Sequence, residues 1–341
     1  MKKNHLFTTV VLSLVFVCLM VSTAASQDAS KKVWNLKYWV PWSKTMWQGE
    51  VETRFVESVK KATGGRVIIT PYWNGSLMSP PEAYSGLKNG VFEIGQIPCV
   101  AAPGEFPVSD IASLPFLFKS ADEALKALNT LNSKGLMPEY NKIKLGSFRM
   151  TDFQQLLFAK KEVQKLEDLK GMKIRISPGI PYEALSALGA VPVGTKVEDV
   201  YMSMDRGVVD GTVLGVGYMP NIKIYEVSKY FLDVPLWIGI LFVGMNLNTW
   251  DSFPDDIKEI MEKEFAKQSR DWHEQVRVQE KLSKDFLRQK GMEFITLSPT
   301  ELARWKQAVQ PVEAILIKKL NDLGLQGQKA VDEAKASVAH K

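Results

Sequence analysis

Arg175 is the residue whose type and position best fit a binding site in this chain. It stands at the end of a short apolar stretch, Lys173–Ile176, which runs directly into a Ser-Pro-Gly turn that begins at Ser177. A guanidinium fixed at a strand end presents a planar fork of hydrogen-bond donors, and the two oxygens of a carboxylate match that fork. A structural ion pair with Glu183 or Asp199 is the alternative. The strand-end position favours a ligand, so the sequence predicts that Arg175 binds a carboxylate.

Side chains for acid–base or nucleophilic catalysis are scarce. Beyond residue 25 the histidines are His273, within a long charged stretch, and His340, near the end. No Gly-x-Ser-x-Gly segment is present and Cys99 has no evident histidine partner, which disfavours the nucleophile arrangements of common hydrolases. An exported hydrolase is therefore only the alternative to a binding protein, and no catalytic residue or cofactor is predicted. Three glutamates near predicted strand ends leave a paired-carboxylate mechanism open: Glu82, Glu93 and Glu105.

The N-terminus carries the pattern of a secretory signal. Lys2 and Lys3 precede an apolar run over residues 6–21, and small residues follow at 22–25. A basic head, an apolar segment and a small-residue cleavage site are typical of a signal peptide. We therefore expect residues 1–25 to be removed and the mature protein to reach the periplasm. It would keep one cysteine, Cys99, and could form no internal disulfide.

The charge pattern does not indicate a nucleic-acid partner. The chain has 341 residues, 24% of them charged, and a formal net charge of +5 that falls to +3 without Lys2 and Lys3. The lysines are interspersed with acids, and there is no basic run, Gly-rich phosphate loop or zinc-ligand spacing. A solvated surface accounts for this pattern, and we expect no nucleic acid as a partner.

Short apolar strands alternate with amphipathic helices along the first third of the chain. Apolar residues alternate over the strands and recur every three to four residues over the helices. Because strand–helix–strand units pair their strands in parallel, this rhythm predicts an α/β fold with largely parallel pairing. The predicted strands are 34–40, 67–72 and 91–98, with helices at 44–62 and 80–88.

A second lobe is expected to begin near Gly146. Residues 236–247 form the most apolar segment of the mature chain, but twelve residues are too few to span a bilayer. We expect this segment to be a buried strand that returns to the first lobe. The other predicted strands of the second lobe are 154–159, 173–176, 191–193, 208–213 and 228–233.

A long helix is predicted over residues 254–290. The stretch has Pro254 at its start, Gly291 just after its end, and neither glycine nor proline in between. A continuous helix of that length would measure roughly 55 Å at about 1.5 Å per residue, more than a single small domain. It must therefore lie across both lobes or kink between them. Two coiled-coil helices are disfavoured, because the apolar stripe does not hold a heptad repeat.

The order of several short motifs resembles one family of binding proteins. The block 166–211 joins the Arg175 strand to a Leu-Gly-Ala-x-Pro turn and a Gly-Val-Val-Asp-Gly element. Upstream stand Thr-Gly-Gly-Arg-Val at 63–67, Asn-Gly-Ser-Leu at 74–77 and Leu-Pro-Phe-Leu-Phe at 114–118. With these motifs the chain resembles the substrate-binding subunits of TRAP transporters, the DctP-type periplasmic receptors for organic acids. The long helix supports the same resemblance.

This resemblance implies a two-lobed α/β fold, that of a type II-like periplasmic binding protein, with a long helix spanning both lobes. Lobe I would comprise 33–145 and about 241–272, lobe II 146–240 and about 273–325, and a C-terminal tail 326–341, frayed from Lys335 onward. The implied partner is the membrane permease of a TRAP transporter, to which a monomeric receptor delivers its organic acid. A receptor that feeds a sensor protein is the alternative.

The resemblance also assigns a role to Arg175, which matches the arginine that grips the ligand carboxylate in this family. Many relatives carry a second arginine upstream, where this chain has Gln154, although Arg149 lies nearby. A Gln-Glu-Asn-Pro segment of many relatives is Thr-Val-Leu-Gly at 212–215 here, and the first strand ends in Pro41-Trp42. A pocket with fewer polar partners cannot offset the desolvation of a polyhydroxylated ligand, whereas apolar walls stabilise an apolar one.

We therefore predict a monocarboxylate ligand with an apolar or aromatic body. Its carboxylate would pair with Arg175, and contacts from lobe I would favour closure of the cleft. A family subgroup for α-keto acids uses a sodium ion, but the residues that hold it are not recognisable here, so metal is left unassigned. The predicted ligand-binding residues are Arg175, Trp42, Gln96, Pro98, Phe153, Gln154, Ser177, Leu214, Tyr218 and Trp237.

Overall fold

The computed structural model describes residues 32–339. The signal peptide expected at 1–25 and His340 lie outside the described residues. The first third alternates strands and helices as predicted, in the order β1 (Trp34–Trp39), α1 (Trp47–Ala62), β2 (Val67–Tyr72), α2 (Pro80–Lys88), β3 (Ile94–Pro98) and α3 (Ala121–Ser133).

Two of these elements start three residues later than predicted. The helix predicted from residue 44 begins at Trp47, because Met46 is still extended. The strand predicted from residue 91 begins at Ile94, since the Val91 N–H donates to the Gly86 carbonyl at 2.9 Å and so belongs to the end of α2. Both shifts fall at element ends, where local hydrogen bonds outweigh the apolar pattern.

The remaining two thirds are built around two long strands and one long helix. The order is β4 (Ile143–Phe158), β5 (Lys173–Ile176), α4 (Ile180–Ala187), β6 (Val191–Gly194), α5 (Val200–Asp205), β7 (Gly211–Gly215), β8 (Tyr230–Asn246), α6 (Leu247–Asp251), α7 (Asp255–Gln289), β9 (Glu293–Ile295), α8 (Pro299–Ala308), α9 (Pro311–Asp322) and α10 (Gly327–Val338).

These strands form one mixed sheet in the order β2-β1-β3-β8-β4-β7-β5-β6, and β9 pairs with β8. β1 pairs in parallel with β2 and β3, β5 with β6 and β7, and β8 with β9. Antiparallel pairs involve only the long strands, namely β3 with β8, β8 with β4, and β4 with β7. The prediction of an α/β fold is confirmed, and the largely parallel pairing holds on both sides of β4 and β8.

β4 and β8 each pass through both halves of the sheet. The strands predicted at 228–233 and 236–247 are one strand, β8, and the strand predicted at 154–159 is the last part of β4. Both are irregular at the same level, with register shifts between Met150 and Phe153 and between Gln154 and Leu156. Such irregularities bend a strand without ending it, which is why the sequence pattern indicated separate pieces. Among residues 32–339, no helix carries an apolar run long enough to cross a membrane.

The long helix predicted over residues 254–290 is present and continuous, the first of the two forms that the sequence allows. α7 has 35 residues, which corresponds to about 52 Å at 1.5 Å per residue. It packs on α1 and β4 and, farther along, on the turn that contains Tyr218 after β7. It therefore contacts both halves of the sheet, and its buried face is apolar over most of its length, including Ile257, Met261, Phe265, Trp272 and Val276.

The segment 326–341 is not a frayed tail, since most of it forms α10. Ala330, Val331 and Ala334 are buried against the core and α10 packs closely on α3, because small side chains let two helices approach. Glu333 pairs with Lys134 at the end of α3. The expectation of disorder from Lys335 onward is wrong as far as Val338. The lobe boundaries near 146 and 240 fall inside β4 and β8 and stay a prediction.

Candidate functional site

The carboxyl ends of strands from both halves of the sheet point toward the middle of β4. β3 and the first part of β4 run in the same direction, since each is antiparallel to β8, and Pro98 at the end of β3 lies level with Arg149 through Leu241. β7 runs against β4, and its end, Gly215, pairs with Gln154. Ligands in open α/β sheets bind beyond such strand ends. The candidate site therefore lies around residues 149–154.

Arg175 is anchored by neutral oxygens on one edge of its guanidinium. Its neighbours in β5, Ile174 and Ile176, point into the core on the other face of the sheet, so Arg175 lies on the opposite face with its register partner Thr212. Nε and Nη2 donate to the Thr195 carbonyl at 3.1 and 2.8 Å, and Nη2 also donates to the Ser177 hydroxyl at 3.3 Å. The side chain is only 3% exposed. Its position and orientation are thus fixed before any ligand arrives.

No carboxylate in residues 32–339 forms an ion pair with Arg175, so the structural pairing with Glu183 or Asp199 is not observed. Burial lowers the pKa of Arg175, whereas the negative charges of Glu198 and Asp199 act at longer range to raise it. Nη1 has no hydrogen-bond partner among these residues and is not sealed from solvent. A buried guanidinium with one free donor is a suitable anchor for a carboxylate.

Tyr218 lies close enough to Arg175 to share its electrostatic environment. Burial raises the pKa of the Tyr218 hydroxyl, Glu198 raises it further, and the charge of Arg175 opposes the shift. Together with Ser177, these residues form the part of the predicted site that the structure assembles in the second half of the sheet.

Phe153, Gln154 and Trp237 lie where β4 and β8 are irregular. Gln154 pairs with Trp237 in the sheet, and its Nε2 donates to Thr151 Oγ1 at 3.2 Å. Trp237 is buried in the main core and Phe153 packs against that core. These three residues form a second group, between the two halves of the sheet.

Trp42, Gln96 and Pro98 form a third group at the ends of β1 and β3. Gln96 is fully buried, and neither atom of its amide has a hydrogen-bond partner in the described part of the chain. Trp42 packs against a small cluster that contains Leu241 and Trp272. The structure therefore distributes most of the predicted residues over three neighbouring groups.

Leu214 is a predicted wall residue that belongs to a core. It lies on the same face as Arg175, two residues beyond Thr212, but it is 5% exposed and packs in a cluster with Val200 and Val216. Its assignment as a ligand contact stays a prediction.

Arg149, the nearby alternative to a second family arginine, is already paired. Its Nη1 donates to Glu52 of α1, and neither side chain is exposed to solvent. Its guanidinium carbon lies 4.9 Å from the ring centroid of Trp272. Glu52 lies 97 positions away in the chain, so no local pattern could have indicated this pair.

Asp152 connects β4 to the turn that carries Tyr218, and the sequence analysis did not identify it. Its Oδ2 accepts the Gly217 N–H at 2.6 Å. A Cβ at Gly215 would lie 2.3 Å from Asp152 Oδ1, so only glycine fits there. Burial raises the pKa of Asp152 to about 7, the Gly217 hydrogen bond opposes the shift, and Glu280 adds to it.

His273, the one plausible general base in the sequence, has a structural role. Its Nε2 accepts the Met150 N–H at 3.0 Å, and Nδ1 lies 2.7 Å from the Ser269 carbonyl, which it faces as a donor. Burial lowers the pKa of His273 to about 4. Both ring nitrogens are thus engaged with the backbone. Among residues 32–339 no group of three or more histidine, cysteine or acidic side chains could hold a metal ion.

Comparisons with known proteins agree on one family. The chain matches the family described as "Bacterial extracellular solute-binding protein, family 7" (DctP) over residues 40–319. The C4-dicarboxylate-binding periplasmic protein DctP of Rhodobacter capsulatus is 26% identical over 299 residues, which cover 86% of this chain and 87% of that protein.

Two solved structures have the same fold. A TRAP solute binding protein from a marine metagenome, specific for aromatic acid ligands and crystallised with 3-hydroxybenzoate, superposes with a TM-score of 0.83 at 24% identity, covering 90% of this chain and 98% of that one. A TRAP solute binding protein of Rhodoferax ferrireducens T118 with copurified benzoate gives 0.81 at 21% identity, covering 89% and 97%. These likenesses confirm the two-lobed α/β fold.

Proposed function

The chain belongs to family 7 of the bacterial extracellular solute-binding proteins, the DctP family of TRAP solute receptors, and we propose that it holds its organic acid through an ion pair with Arg175. The surroundings of this side chain carry the proposal. Thr195 and Ser177 fix one edge of a buried guanidinium, and Nη1 has no hydrogen-bond partner within the described part of the chain. A buried cation without a counter-ion is costly, and a carboxylate that completes the fork offsets that cost.

The body of the ligand is apolar or aromatic in this proposal. Trp42, Phe153 and Tyr218 are half-buried aromatic side chains near the strand ends, and apolar surface buried against them contributes about 25 cal/mol per Å². The marine metagenome and Rhodoferax proteins hold 3-hydroxybenzoate and benzoate, whereas the Rhodobacter protein is named for C4-dicarboxylates. The single guanidinium anchor in the second half of the sheet supports a monocarboxylate.

Closure of two lobes about β4 and β8 would trap the ligand. Both strands pass between the halves and are irregular at residues 150–156 of β4, which is where we place the hinge. The ligand biases closure only by its tighter binding to the closed form. The loaded receptor then docks as a monomer on the membrane permease of a TRAP transporter in the periplasm. No chemical step is part of this proposal.

The alternatives are a receptor that feeds a sensor and an exported hydrolase. Against the hydrolase, both nitrogens of His273 are engaged by the backbone. A mass spectrum of the ligand after prolonged incubation separates the two classes, because a receptor returns it unchanged. A second assay separates transport from sensing. Vesicles that contain the permease should take up the ligand only when the receptor is added if the protein serves transport.

A thermal-shift screen of the mature, ligand-stripped protein tests the proposed ligand class. The panel contains keto, dicarboxylic, sugar, branched-chain and aromatic acids, each with its amide as a control that lacks the negative charge. A ligand at about 1,000 times its Kd adds about 4 kcal/mol of stability. Selective shifts with aromatic or branched monocarboxylates, absent for the amides, would support the proposal. A response confined to sugar acids or dicarboxylates would contradict it.

A further inference from the structure

Buried polar atoms without partners lie on the sheet face that α1 and α7 cover. Among residues 32–339, Nε and Nη2 of Arg149 and both amide atoms of Gln96 have no hydrogen-bond partner. Gln96 and Pro98 are two residues apart in β3 and therefore lie on the same face of the sheet. Pro98 pairs with Leu241 of β8, and Leu241 pairs with Arg149 of β4. The two unpaired side chains therefore lie on one face of the sheet, on the strands that flank β8, near the strand ends that face Arg175.

Two tryptophans add donors to the same place. The ring centroids of Trp47 and Trp272 are 4.8 Å apart, and Trp272 also stacks on Arg149. Trp42 and Trp47 pack against the cluster of Leu241 and Trp272, and the indole Nε1 of each is buried without an acceptor. We call Gln96, Arg149, Trp42 and Trp47 the donor cluster.

Within the described chain the unpaired donors of this cluster meet no acceptor, and the carbonyl oxygen of Gln96 is likewise buried without a donor, as are those of Gln48 and Gln268. More than about nine in ten buried polar groups of folded proteins have a partner, and an unpaired one costs about 1–3 kcal/mol. Several unpaired donors at one strand-end surface indicate that an acceptor arrives from outside. The cleft between the lobes is the route by which a ligand atom reaches them.

The charge of the donor cluster selects the kind of acceptor. Glu52 already neutralises Arg149, and Glu52 is itself stabilised by the Tyr38 hydroxyl at 2.6 Å and by Gln268. The site therefore offers hydrogen-bond donors without net positive charge. A second carboxylate would be buried there without a counter-ion, whereas a hydroxyl or keto oxygen would be satisfied.

We propose that the donor cluster is a second ligand subsite, which receives a neutral oxygen at the far end of the acid held by Arg175. The inference rests on the proposed function and names its ligand class: monocarboxylates with a hydroxyl or keto group on the opposite side of an apolar body. α7 sets the span. A Cβ at Gly217, beside Tyr218, would lie 3.9 Å from Gln279 Cβ. Trp272 precedes Gln279 by about 10 Å along the helix axis.

Calorimetric titration with matched acids tests the subsite. Benzoate is compared with 3- and 4-hydroxybenzoate, and with isophthalate and terephthalate as the corresponding dicarboxylates. The wild type should bind at least one hydroxybenzoate about tenfold more tightly than benzoate, as one well-placed hydrogen bond gives. Neither dicarboxylate should gain affinity over benzoate.

The variant Gln96→Leu removes the amide at similar volume and should reduce the hydroxybenzoate-to-benzoate affinity ratio to about 1. Trp305→Phe is the control: it also removes a buried donor that is unpaired among residues 32–339, but it lies on α8 in the main core and not in the donor cluster, and it should keep the ratio. The melting temperature of unliganded Gln96→Leu should not fall, since the substitution removes two unpaired polar atoms, and this establishes that the variant folds.

Three results would overturn the subsite: equal affinity of the wild type for benzoate and both hydroxybenzoates, a preference for a dicarboxylate, or an unchanged ratio in Gln96→Leu. The last would mean that water, and not the ligand, meets the amide. Failure of the proposed function looks different, because then none of these acids binds or Arg175→Ala binds them as well as the wild type does.

Discussion

Arg149 and Glu52 form an ion pair in which neither side chain is exposed to solvent. Glu52 also accepts hydrogen bonds from Tyr38 of β1 and Gln268 of α7. The pair thus joins four elements, β1, α1, β4 and α7. Because two charges removed from water stabilise a fold only while both are present, this relationship makes the protein sensitive to loss of either one.

Removal of one member of the pair should destabilise the protein strongly. Glu52→Gln or Arg149→Met is expected to lower the free energy of unfolding by about 3–5 kcal/mol, because the other charge stays buried without a partner. The double variant should lose less unfolding free energy than the sum of the losses of the two single variants. Urea denaturation of the four proteins measures the coupling. Arg66→Ala, which breaks an exposed pair with Asp256, is the control and should cost at most about 1 kcal/mol. Additive losses would contradict the coupling.

Arg175 should matter for the ligand and not for the fold. Arg175→Ala is expected to weaken carboxylate binding by about 2–5 kcal/mol, since it leaves a buried ligand charge unpaired. Arg175→Lys should recover only part of the affinity, because a single ammonium cannot replace the fork. The unliganded Arg175→Ala protein should melt no lower than the wild type, as it loses a buried charge that has no counter-ion. Calorimetry and thermal melts check both statements, and unchanged affinity would place the anchor elsewhere.

Asp152 should make the protein less stable as the pH rises from about 4 to 7. The carboxyl group of the unfolded chain loses its proton near pH 3.8, whereas the folded one keeps it to about pH 7. The folded state therefore binds more protons in this window, and stability falls as the pH increases. Asp152→Asn can keep the acceptor for the Gly217 N–H but cannot titrate. We expect the variant to be the more stable protein at pH 8, and the difference to shrink toward pH 4.

The quantity to measure is the difference in unfolding free energy between the wild type and Asp152→Asn, because other groups titrate in the same pH range. Burial lowers the pKa of His273 to about 4, so His273 makes the fold more stable as the pH rises. Glu280 and Lys284 face Asp152 from α7 and are common to both proteins. Chemical unfolding at four pH values gives the difference directly, and a difference independent of pH would show that Asp152 titrates normally.

Local patterns in the sequence predict most of the elements, including the strand that holds Arg175, but they do not indicate what depends on distant partners. The strand that holds Arg175 and the turn after it lie within a few residues, so both could be predicted. The partner of Arg149 lies 97 positions away in the chain, and the surroundings of Gln96 depend on β8, where its register partner is the distant Val243. β4 and β8 were predicted as fragments because bulges interrupt their alternation, although hydrogen bonds to neighbours continue through them.

The C-terminal helix provides a last test of this distinction, because the sequence pattern predicts a tail at this position. α10 buries Val331 and two alanines against the core beside α3, and burial of one valine alone contributes about 1.5–3 kcal/mol. A chain that stops at Leu325 would expose the apolar surface of α3 that α10 covers. We expect it to melt several degrees lower and to bind apolar dyes, while its affinity for the ligand just below its melting range stays the same. Ala334→Asp should reproduce the loss at a single position, since it buries an unpaired carboxylate. Glu333→Ala, which removes only the half-buried partner of the exposed Lys134, should change stability by less than about 1 kcal/mol. A truncated protein as stable as the full chain would show that α10 packs without contributing to the fold.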